Sequence, residues 1–145
     1  MSKPFAALAL LVFAACGGDS TGPKSVALTG QWAYNATNVS GSGLSCNFSG
    51  LTLVFTQTGS TLTGATNGGS FSCSAAGMTN GSPLGTTPLA NGQVNGNAVQ
   101  FDFGTADIHN AGTLNGNSIS GTVTVRADAG GTTIVLSGNF SAVKQ

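Results

Sequence analysis

Side chains able to do acid–base or nucleophilic chemistry are scarce in this 145-residue chain. A nucleophile–base pair needs a histidine or its equivalent beside a serine or cysteine. The single histidine, His109, stands in Asp107-Ile108-His109-Asn110 next to a turn, and reads as a solvent-facing strand residue. Work by two carboxylates would have to join Asp102 to Asp107 or Asp128, since the chain has no glutamate. Asp102 alternates with Phe101 and Phe103, so it is expected to point outward, with Arg126 as a surface partner. Asp107 and Asp128 read as turn residues. A metal site would need more ligands than one histidine and two remaining cysteines supply. The glycine-rich stretches read as turns, because none joins a strand to a helix as phosphate-binding loops do. The expectation is a protein with no catalytic residue, no metal and no cofactor, hence not an enzyme.

The residue with the clearest chemistry is Cys16. Met1-Ser2-Lys3-Pro4 carries one positive charge, an unbroken apolar run extends from Phe5 to Ala15, and Cys16 closes it. A basic start, a short apolar core and small residues at the end make a secretory signal. The run is well short of the roughly 20 residues a membrane-spanning helix needs. Phe13-Ala14-Ala15-Cys16 resembles the lipobox of bacterial lipoproteins, although Phe13 stands where leucine is usual. The resemblance implies that residues 1–15 are a signal peptide and that Cys16 is lipidated and becomes the mature N-terminus. It also implies a bacterial envelope location, with Gly17 after the cysteine favouring the outer membrane over retention. A plain secretory signal, leading to a secreted or periplasmic protein, is the alternative. Residues 16–29, with Gly17, Gly18, Gly22 and Pro23, read as a flexible linker.

Beyond residue 15 there are seven charged side chains, Lys24, Arg126 and Lys144 against Asp19, Asp102, Asp107 and Asp128. That balance offers no electrostatic footprint for nucleic acid, and no grip on an anionic membrane apart from the lipid. An exported chain meets an oxidising compartment, so Cys46 and Cys73 are expected to form a disulfide, two free thiols being the alternative.

From Gly30 to the end, short runs alternate apolar and polar residues between turn residues, the pattern of antiparallel strands. Leu51, Leu53 and Phe55 share one face, as do Val99, Phe101 and Phe103. If Phe55 lies opposite Leu62, Cys46 falls opposite Phe71, and a bulge at Asn67-Gly68-Gly69 must bring Cys73 to it. Residues 75–90 carry Pro83 and Pro88, show no period and read as the longest loop. Two similar segments, beginning Gly92-Gln93-Val94-Asn95-Gly96-Asn97 and Gly112-Thr113-Leu114-Asn115-Gly116-Asn117, each read as a hairpin about an Asn-Gly turn. The chain is therefore expected to be all-β, with about eight antiparallel strands over 30–145. They would form an up-and-down barrel, with a β-sandwich as the alternative.

Gly30-Gln31-Trp32 at the head of the first strand resembles the Gly-x-Trp of the calycins, the superfamily of lipocalins and avidins. The resemblance implies a closed barrel plugged at one end by Trp32, with Lys144 packing its stem over the ring. It brings no ligand with it. One expectation is a lipid-anchored barrel holding a small hydrophobic ligand, lined by Trp32, Tyr34, Phe55, Phe101 and Phe103 and covered by the 75–90 loop. The other is a structural or interaction lipoprotein whose barrel is filled by its own side chains. Protein partners are not indicated by the sequence.

Overall fold

A computed structural model describes residues 27–76, 78–104, 107–129 and 131–145. The N-terminal segment, with Cys16, lies outside the described residues. Ten antiparallel strands follow: β1 (Gly30–Gly41), β2 (Leu44–Thr58), β3 (Thr61–Asn67), β4 (Ser70–Ala75), β5 (Met78–Pro83), β6 (Leu89–Asn95), β7 (Ala98–Phe103), β8 (Ile108–Asn115), β9 (Ser118–Ala129) and β10 (Thr132–Lys144). No helix occurs among the described residues.

The neighbour order β1-β10-β9-β8-β7-β6-β3-β2 is closed by direct pairing of β1 with β2, which makes an eight-stranded barrel. Closure removes the exposed edges that an open sheet of this size would present. The two remaining strands extend outward from β2, which is long enough to pair with β3 through its second half and β4 through its first. Inward positions alternate as the sequence suggests, with Trp32, Tyr34 and Ala36 buried on β1 and Leu51, Leu53 and Phe55 on β2. Between Phe48 and Leu51 the alternation slips by one residue, where the β1–β2 register shifts and Gly50 takes a positive φ of 64°. A bulge of this kind bends the strand and keeps both flanking apolar sets inside.

Glycine makes room for a ring inside the barrel at one cross-strand pair. Gly112 pairs with Gly121, and a Cβ on Gly112 would come within 3.0 Å of the Phe140 ring. That gap admits the Phe140 ring, which stacks on Tyr34 at 5.4 Å with the planes 20° apart.

The weakest closure is between β3 and β6, where the strand ladder is the single pair Thr61↔Gln93. The remainder is held by the bridge Ala65↔Pro88 and by Thr66, whose amide donates to the Thr87 carbonyl at 2.8 Å. The Thr66 hydroxyl is fully buried, donates to the Gly85 carbonyl at 3.2 Å and accepts the Thr87 amide at 2.9 Å. Residues 84–88 thus stand in for missing strand pairing.

Three expectations need correction. The 75–90 segment is not one loop: β5 occupies 78–83 and pairs with β4, and β6 begins at Leu89. All six β5 residues are exposed, so nothing in its sequence alternates. The β2–β3 register is Phe55↔Gly64, two residues from the expected Phe55↔Leu62, and β4 continues the same register so that Cys46 faces Cys73 directly. No bulge is required to absorb an offset. In the repeated hairpins the turn centres are Gly96-Asn97 and Gly116-Asn117, flanked by Asn95↔Ala98 and Asn115↔Ser118. Glycine leads each turn with a positive φ of 58°, as the first central position of a type II′ turn requires. Ahead of β1, Leu28 is fully buried and its amide donates to Gln57 Oε1 at 2.8 Å.

Candidate functional site

The five side chains expected to line a ligand cavity are brought together inside the barrel, where they pack on one another. Trp32 meets Phe55 at 6.1 Å between ring centroids, Phe55 meets Phe101 at 5.2 Å, Phe101 meets Phe103 at 5.8 Å and Phe103 meets Tyr34 at 5.3 Å. These separations fall in the range of direct aromatic contact. Each of the five is at most 4% exposed. Three surface pockets open elsewhere, and none of the five residues lines any of them.

Within this core one polar pair is buried. The Tyr34 hydroxyl donates to Asn110 Oδ1 at 2.8 Å, and both residues are almost wholly excluded from solvent. Burial pushes the Tyr34 phenol far above its ordinary pKa, because the phenolate has no solvent there. Asn110 Nδ2 is buried without a hydrogen-bond partner among the described residues.

At one end, Trp32 is held by its ring nitrogen, which donates to the Leu28 carbonyl at 2.8 Å. Lys144 lies directly opposite Trp32 in the β1–β10 ladder, and its Nζ stands 5.7 Å from the ring centroid. The ammonium also donates to the Ala27 carbonyl at 3.0 Å. Near the other end, Cys46 and Cys73 form a disulfide, which ties β2 to the external β4–β5 hairpin. Beside it Phe48 meets Phe71 at 4.7 Å.

The arrangement not foreseen lies on the outer face. Asp102 points away from the core, as expected, but it is only 4% exposed. Its Oδ1 is 2.5 Å from His109 Nδ1, and its Oδ2 accepts from Asn91 Nδ2 at 2.7 Å. A carboxylate only accepts, so Nδ1 carries a proton and the ring presents Nε2 away from Asp102. Asp102 and His109 are cross-strand neighbours on β7 and β8, and His109 is in turn opposite Thr124 on β9. Asn91 reaches Asp102 because β6 breaks register between Ala90 and Gln93, with Asn91 at a positive φ of 50°. Asp102, His109, Thr124 and Arg126 line one pocket of about 340 Å³. The expected Asp102–Arg126 partnership is thus replaced by one with His109 and Asn91, while Arg126 shares the pocket. The signal available was the spacing of Asp102 and His109 on two consecutive strands; the covering role of Asn91 depends on a bulge that no residue pattern announces.

Among the described residues no group of three or more His, Cys, Asp or Glu side chains is placed to hold a metal ion. No protein-family model, no curated protein and no solved structure matches this chain.

Proposed function

We propose that this chain is a cell-envelope lipoprotein, anchored through a lipidated Cys16, whose calycin-like barrel is filled by its own side chains and acts through its outer surface. The observation that carries this reading is the unbroken series of contacts from Trp32 through Phe55, Phe101 and Phe103 to Tyr34. An eight-stranded barrel is just wide enough to be filled by side chains or to hold one small ligand. Here the rings that a hydrophobic ligand would need already satisfy each other, and opening a cavity would forfeit their burial, worth on the order of 2 kcal/mol for each large side chain. The anchor rests on the sequence Phe13-Ala14-Ala15-Cys16 and on the glycine-rich stretch after it, and Gly17 favours the outer membrane.

Trp32 is the chain's one tryptophan, so it reports on the interior without labelling. Titration with a fluorescent fatty acid is expected to give no saturable energy transfer from Trp32. Saturation at one fatty acid per chain would overturn the filled-barrel reading in favour of an interior hydrophobic ligand. The anchor is tested separately: Cys16→Ser should release the protein from the membrane fraction, and mass analysis of the native N-terminus should show an acylated cysteine.

A further inference from the structure

The charged side chains of the described barrel are few. They are Asp102, Asp107, Arg126, Asp128 and Lys144, and two of these, Asp102 and Arg126, line one pocket on the outer face with the sole histidine. Asp102, His109 and Arg126 line the pocket, and the Arg126 amide donates to the Asp107 carbonyl at 2.7 Å beside it. On a surface with so few charges, their presence together in one pocket is not a by-product of general charge.

The internal order of the group is also informative. Burying a carboxylate is costly unless it is paired and hydrogen-bonded. Asp102 is the one charged side chain that is buried among the described residues, and its two oxygens are occupied by His109 and Asn91. Its structural consequence is to fix the imidazole of a half-exposed histidine, with Nε2 left for something else. Thr124, which carries a hydroxyl, and Arg126, which carries a guanidinium, line the same pocket as that ring, and an arginine fork matches the paired oxygens of carboxylates and phosphates.

From this geometry we propose that the pocket is a binding site for a small oxyanion, a carboxylate or phosphate group. Arg126 and Thr124 donate to the anion's oxygens, and His109 Nε2 makes a third contact only with both ring nitrogens protonated, since in the neutral Nδ1–H ring that nitrogen only accepts. Asp102 and Asn91 are positioning residues that hold the ring and do not touch the ligand. The site lies outside the barrel, so it stands or falls independently of whether the interior is filled.

His109 is the only histidine, so its ring C–H resonances can be followed in the full chain without assignment. The chain is titrated with inorganic phosphate, with acetate, and with bicelles containing phosphatidylglycerol, at constant ionic strength maintained with chloride. Saturable movement of the His109 resonances with either free anion is the expected result. Saturation only with the bicelles would identify the oxyanion as a lipid headgroup. Arg126→Gln, an exposed substitution, should weaken binding by about tenfold or more while leaving the fold intact, since it removes a charge-assisted donor pair. Thr124→Val should weaken it by a smaller factor. Non-saturating drift with all three probes, or an Arg126→Gln chain that titrates like the parent, would overturn the proposal.

Discussion

Lys144 reaches across the β1–β10 ladder to Trp32 and lies over the space that a side chain at residue 30 would take. A Cβ on Gly30 would stand 3.3 Å from Lys144 Cε, and Gly30 has a φ of +133° that side-chain-bearing residues rarely adopt. The glycine of Gly30-Gln31-Trp32 therefore makes room for the lysine stem that covers the tryptophan. Two substitutions separate the contributions. Lys144→Ala removes a cation–π contact worth about 0.5–1 kcal/mol at an exposed site. Gly30→Ala forces backbone strain of about 1–3 kcal/mol and also displaces Lys144. Urea unfolding followed by Trp32 fluorescence should rank Gly30→Ala as the more damaging. Equal midpoints for the two variants would contradict the steric role assigned to Gly30.

The disulfide gives a second prediction. Cys46 and Cys73 are directly opposed and 27 residues apart in sequence, so the bond closes a loop of moderate length. Replacing both by serine should cost about 3 kcal/mol on the loop-entropy scale. The loss should be uneven, because the barrel closes through β1–β2 and β2–β3 without the bridge, while β4–β5 has no strand beyond it among the described residues. Hydrogen exchange in the disulfide-free chain should show the β4–β5 amides losing protection first. Uniform loss over all ten strands would mean that the bridge supports the barrel itself.

Much of this fold is legible in the residue pattern, and what is not has a definite origin. Alternation marks the inward faces of β2 and β7 because each strand has one face in the core and one in water. It cannot mark β5, which has both faces in water. The register error comes from the turns. Glycine can occupy the first or the second central position of a two-residue turn, and in Gly59-Ser60, Gly96-Asn97 and Gly116-Asn117 it occupies the first. Moving a turn centre by one residue moves every pairing by two, which preserves the faces and changes the neighbours. The buried rings follow from pattern, then, while the Cys46–Cys73 opposition follows from turn chemistry. The outer-face group needed a third ingredient, the Asn91 bulge, which lowers an amide side chain onto Asp102.

Tyr34 supplies a pH prediction. It is the chain's one tyrosine, so the ultraviolet band of tyrosinate reports that residue alone. Its folded-state pKa is raised by burial, so the neutral phenol is favoured in the fold. A raised pKa contributes stability that is fully present below the unfolded value of about 10 and is lost as pH rises above it. Stability should therefore decline with increasing slope above about pH 10, and tyrosinate should form only with unfolding. Ionisation of Tyr34 near its ordinary value in a chain that keeps its Trp32 emission would contradict the burial.

The partner of that phenol can be tested by a mutant cycle. Tyr34→Phe leaves Asn110 Oδ1 without its donor, next to an Nδ2 that already lacks an acceptor among the described residues. Stranding a buried polar group costs about 1–3 kcal/mol. Asn110→Leu alone strands the hydroxyl instead, whereas the double variant leaves no polar group at that point. The double variant should be more stable than the sum of the single losses implies, by about 1 kcal/mol or more. Strict additivity would show that the two side chains do not depend on each other.

The last prediction concerns the state of the His109 ring, and it discriminates a positioning role for Asp102 from a merely structural one. A carboxylate at Nδ1 selects the tautomer with the proton on that nitrogen, leaving Nε2 unprotonated in the neutral ring. The free imidazole has no such constraint. Nitrogen-15 shifts of the single histidine should therefore show the Nδ1–H form in the parent chain. Asp102→Asn keeps the volume and presents an amide whose orientation is set in part by Asn91, so the tautomer preference should be lost even where the barrel stays folded. A chain with Asn91→Ala retains the carboxylate and should keep the Nδ1–H form, with only a modest loss of stability from the missing amide bond, about 1 kcal/mol. If Asp102→Asn leaves the tautomer unchanged, the ring is held by something other than the carboxylate, and the outer-face pocket loses the element that organises it.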